Sequence, residues 1–74
     1  MSYTGYWIAD KGQIYGPHGF TGHWIEDGHI FGPNGYTYYW IEDHHIFSSD
    51  GYTQCWIVET GQIYGPKERL PWYE

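Results

Sequence analysis

The chain has 74 residues, enough for one domain spanning 1–74, and a chain of this size buries only about 60% of its unfolded surface. Nine acidic residues against three basic ones give a net charge of −6, which repels phosphate backbones and excludes nucleic acid as an expected partner. A single cysteine, Cys55, excludes an internal disulfide, and no apolar run approaches membrane-spanning length, so no membrane partner is expected.

The N-terminus MSYTGYW has no basic region followed by an apolar core, which makes a cytoplasmic location the expectation. After this lead-in the chain repeats itself. Its five tryptophans, Trp7, Trp24, Trp40, Trp56 and Trp72, fall at steps of 17, 16, 16 and 16. Four units follow, 4–20, 21–36, 37–52 and 53–70, and a terminal fragment, 70–74, keeps only the tryptophan.

In the first unit, Trp7-Ile8 and Gln13-Ile14-Tyr15 flank a loop ending in Gly12, the signature of a three-residue hairpin closed by a glycine bulge. Ile8 is thereby set opposite Ile14, and Trp7 opposite Tyr15. In the second, Asp27-Gly28 lies between Trp24-Ile25-Glu26 and His29-Ile30-Phe31, the strongest local signal for a two-residue type I′ hairpin. The pairs are then Glu26 with His29, Ile25 with Ile30, and Trp24 with Phe31. The third unit places Asp43-His44 at the same turn, since His is among the few non-glycine residues that tolerate left-handed backbone. The fourth repeats the three-residue loop through Gly61 and pairs Ile57 with Ile63 and Trp56 with Tyr64. A second reversal, Gly16-Pro17-His18-Gly19, Gly32-Pro33-Asn34-Gly35 or Ser48-Ser49-Asp50-Gly51, is built largely of turn residues in the first three units.

From Tyr3 to Tyr64 the sequence therefore predicts eight antiparallel strands, two per unit, and no helical periodicity. Pro71 beside Trp72 predicts a ninth, divergent, edge-type strand. The fold class expected is all-β: a meander of four hairpin repeats, either flat, curled or closed as a small barrel. A β-solenoid also accommodates a 16-residue period, but it would stack Glu26 on Glu42 and Asp27 on Asp43 about 4.8 Å apart, whereas a meander separates them by two strands. Strand alternation puts all eight isoleucines on one face and the aromatic partners on the other.

Those outward rings, Trp7, Tyr15, Trp24, Phe31, Trp40, Phe47, Trp56 and Tyr64, are the candidate binding residues, with Glu26, His29, Glu42 and His45 beside them. Indole and phenol faces stack on other rings, on sugar C–H faces and on cations. Trp24 followed by Asp27-Gly28 and then Ile30-Phe31 resembles the layout of the choline-binding repeats of bacterial cell-wall proteins, which are also aromatic hairpin repeats. The resemblance is one of construction: the unit here is shorter, and Tyr6, His23, Tyr39, Cys55 and Pro71 precede the tryptophans where that family has glycine.

Five histidines raise a metal-binding alternative through Glu26/His29 and Glu42/His45. A structural zinc, however, needs four converging N or S ligands, and no such spacing occurs; cross-strand charge pairing accounts for Glu/His equally well. No cofactor is implied. Catalysis finds no asymmetric cluster in a repeat that spreads its chemistry evenly, and Cys55 falls on the isoleucine face, so the protein is not expected to be an enzyme. The expected function is a non-catalytic binding or assembly module. Its aromatic ladder would serve self-association as a homo-oligomer or a protein partner, with a carbohydrate-binding, lectin-like role as the alternative.

Overall fold

The computed structural model describes residues 2–73; Met1, in the lead-in, and Glu74, in the terminal fragment, lie outside the described residues. Strands β1 (Tyr3–Ile8), β2 (Gln13–Gly16), β3 (Gly19–Glu26), β4 (His29–Gly32), β5 (Gly35–Glu42), β6 (His45–Ser48), β7 (Gly51–Ile57) and β8 (Gln62–Tyr64) alternate long and short. Each pairs antiparallel with the next, and β8 pairs back onto β1 through Tyr6↔Ile63 and Trp7↔Gln62, so the meander closes into an eight-stranded barrel.

The hairpin register is the expected one. Ile8 faces Ile14, Ile25 faces Ile30, Ile41 faces Ile46, and Ile57 faces Ile63. At the two-residue turns, Asp27 and Gly28 have φ of 54° and 79°, and Asp43 and His44 have 51° and 69°, as type I′ geometry requires. The longer loops close with Gly12 N–H donating to Ala9 O (3.0 Å) and Gly61 N–H to Val58 O (2.9 Å). Hairpins alone would not make a ring; the tips tie them together. Ile25, Ile41 and Ile57 donate their backbone N–H to Gly12, Gly28 and His44 carbonyls at 2.8 Å, and Ile8 donates to Gly61 at 2.9 Å. Each tip is thus bonded to the following unit, and the fourth to the first.

Curvature comes from a bulge repeated in every long strand. The register shifts between Tyr3 and Tyr6, Ile14 and Tyr15, Ile30 and Phe31, and Ile46 and Phe47. Gly5, Gly22, Tyr38 and Gln54 take the left-handed conformation there, at φ of 91°, 83°, 67° and 70°. A bulge bends its strand and raises its twist, which is what closing so small a sheet demands. A threonine precedes each one. Thr4, Thr21, Thr37 and Thr53 donate Oγ1–H to the carbonyls of Ile63, Ile14, Ile30 and Ile46 at 2.6–2.8 Å. The same oxygens accept the backbone N–H groups of Tyr6, His23, Tyr39 and Cys55 at 3.2–3.3 Å. The hydroxyl replaces the ladder bonds that the bulge interrupts.

Inside, Ile14, Ile30, Ile46 and Ile63 are fully buried. Each is paired on one side with the isoleucine across its hairpin and on the other with His23, Tyr39, Cys55 or Tyr6. The C-terminal segment departs from the expected ninth strand. Lys67–Arg69 form a 3₁₀ turn, and Leu70 and Trp72, 3% and 8% exposed, fold into the core cluster. The reason is topological: with β8 hydrogen-bonded to β1 no free edge remains, and Pro71 has no N–H to offer one. The segment caps the barrel end instead and buries its two large apolar side chains.

Candidate functional site: an aromatic girdle

Because the isoleucines fill the lumen, the partnered rings of every hairpin stand on the outer wall. Trp7–Tyr15, Trp24–Phe31, Trp40–Phe47 and Trp56–Tyr64 stack with centroids 5.9–6.2 Å apart and interplanar angles of 13–16°. All eight predicted rings are therefore brought together in matched pairs, one pair per unit. Trp7 is 39% exposed, and the other seven are half-buried, so each ring keeps one side on its neighbour and another toward solvent.

The structure extends every pair by a third ring from the next strand. Phe20 joins Tyr15 at 5.6 Å, Tyr36 joins Phe31 at 5.4 Å, Tyr52 joins Phe47 at 5.2 Å, and Tyr3 joins Tyr64 at 5.5 Å. The result is a girdle of four three-ring stripes around the wall. These third members were missed by hairpin pairing alone because Phe20, Tyr36 and Tyr52 pair across the second turn and Tyr3 across the β1–β8 closure. Their signal was present all the same: an aromatic precedes each of Thr4, Thr21, Thr37 and Thr53, and each threonine lies three residues before a tryptophan.

The polar candidates sit along the same wall. Glu26 faces His29, and Glu42 faces His45, across their turns. Glu26 Oε1 accepts the Trp24 indole N–H at 3.3 Å, and His29 Nδ1 lies 2.9 Å from the Asp27 carbonyl. The His29 and His45 rings meet Tyr36 and Tyr52 edge-on, at 5.4 Å and 75–77°. Glu26 thus holds the edge of one indole, and the two imidazoles pack on tyrosine rings. Among the described residues, no three His, Cys, Asp or Glu side chains converge as metal ligands.

One quarter of the girdle carries an additional ring. At the bulge where the first and second units have Gly5 and Gly22, the third has Tyr38, held at φ 67°. It is 66% exposed and leans on Tyr36 at 4.8 Å. A bulky side chain in the left-handed region is a true outlier, costing on the order of 1–2 kcal/mol.

Cys55 is fully buried in the lumen opposite Ile46. Burial pushes its thiol above the ordinary range, with the Thr53 hydrogen bond and nearby Arg69 pulling the other way. Its Sγ contacts the Pro66 carbonyl at 3.4 Å. A thiol so placed is packing, since reactivity needs thiolate and access. At the capped end, Trp72 packs edge-on to Tyr6 at 5.6 Å and against His23 at 5.5 Å. Its Nε1 is buried with no hydrogen-bond partner, a state that costs about 1–3 kcal/mol.

Comparison with known proteins finds no family model, no curated protein and no solved structure that matches this chain. Among the described residues no helix is long and apolar enough to cross a membrane.

Proposed function

We propose that this protein is a non-catalytic assembly module that associates through its aromatic girdle, with a second copy as the first partner and another protein as the next. One observation carries this reading: four stacked ring stripes lie on the outer wall of a barrel whose lumen is already filled. Rings that the core does not require, set contiguously and half-exposed, mark an interaction surface, and aromatics dominate the energetic centres of protein interfaces. Closure also removes the strand edges through which a flat meander would stack, leaving the wall as the surface for contact.

Tyr38 supplies the test. Tyr38→Gly relieves left-handed strain, so the isolated barrel gains about 1 kcal/mol, while association loses its most exposed ring. Sedimentation over a range of protein concentrations is expected to show a wild-type oligomer that the variant shifts toward monomer, despite its higher thermal midpoint. A wild-type protein that stays monomeric at the highest concentration, with unchanged tryptophan emission, would sink self-association. A lectin-like role is the second reading, favoured by Glu26 standing at the edge of the Trp24 indole, where a sugar ring could stack while the carboxylate accepts a hydroxyl. In that case a monomer's tryptophan emission would shift on adding neutral oligosaccharides.

A further inference from the structure

A cleft lies away from the hairpin tips, where the Gly16–Gly19 turn meets the C-terminal cap. It measures about 470 Å³. Its walls include the rings of Tyr6, Phe20, Trp72 and Tyr73, with Lys67 and His18 also on the lining. Phe20 and Tyr73 are 53% and 41% exposed, so the aromatic walls are open to a guest. Charge sets this place apart. In a chain of net charge −6, none of the described acidic residues lines the cleft, and Lys67 is its one permanently charged side chain. Trp72, which lines the cleft, is itself 8% exposed, so the cleft floor is held by the core.

We infer that this cleft binds a small aromatic carboxylate. Clefts of this volume, with aromatic walls and polar groups between them, are a usual form of small-molecule site. The ring of the ligand lies against Phe20, Tyr73 and the Trp72 indole, and its carboxylate pairs with the Lys67 ammonium.

The probes are 1-naphthoate and its neutral amide, titrated into the ¹⁵N-labelled full chain and followed at the indole N–H resonances. The expected result is saturable binding of naphthoate, with the Trp72 indole moving most and the amide at least about tenfold weaker. Lys67→Gln should weaken naphthoate by about tenfold and leave the amide within about twofold. Trp24→Ala, which alters the girdle, should leave both unchanged, so this site and the assembly surface are read separately. Absence of a saturable Trp72 shift at about 10 mM naphthoate overturns the inference. So does an equal loss for acid and amide in Lys67→Gln, or a response centred on Trp7, Trp24, Trp40 or Trp56.

Discussion

Thr53 is 1% exposed, and its hydroxyl both donates to the Ile46 carbonyl at 2.6 Å and accepts the Cys55 N–H at 3.2 Å. Thr53→Val keeps the shape and strips both bonds from a buried bulge, so urea denaturation should report a loss of about 1–3 kcal/mol. Thr21→Val, at a less buried copy of the same site, should cost less. His44 raises the opposite expectation. It holds φ 69° where its counterpart in the second unit is Gly28, so His44→Gly should stabilise the fold by about 0.5–1 kcal/mol, provided the turn carbonyl keeps its bond to Ile57. A thermal midpoint lower than wild type would show that the imidazole contributes more than its backbone strain removes. Both threonine and turn positions were written in the sequence, one as a repeat and the other as an Asp-x turn. Only the turn came with a local geometric rule that gave it meaning beforehand.

At the level of the hairpin, the tips act as joints between neighbouring units. Gly12 and Gly19 are both left-handed, at φ 92° and 104°, but a Cβ on Gly12 would lie 2.5 Å from the Ile25 carbonyl oxygen, whereas Gly19 has open space around it. Gly19→Ala should therefore cost only the backbone strain, about 1 kcal/mol. Gly12→Ala should cost several times more, because it also displaces the joint to the second unit. Equal losses in denaturation midpoints would mean that the tip bond does not hold the units together. The hairpin registers were legible because Asp-Gly turns and isoleucine alternation are short-range signals. The cap was not: Pro71-Trp72 has the composition of an edge strand, and whether an edge exists depends on whether β8 has already found β1, which no local stretch encodes.

For the molecule as a whole, closure changes how a repeat protein should unfold. An open array can lose its end units first, but here the first unit is bonded to the fourth by β1–β8 pairing and the Ile8–Gly61 bond. Unfolding in urea should be a single transition, with tryptophan emission and far-ultraviolet dichroism superimposed; an earlier loss in one signal would contradict a sealed ring. The sequence by itself determined the repeat, the strands, the pairing of Ile with Ile and ring with ring, and the separation of aliphatic from aromatic faces, because alternation and turn chemistry act over a few residues. Tertiary structure alone decided that the isoleucine face curls into the lumen, that the aromatic face becomes an outer girdle, and that the tail caps the end. Those outcomes turn on bringing Tyr3–Ile8 against Gln62–Tyr64, and the bulges that bend the sheet far enough to do so have their effect only when all four accumulate around one ring.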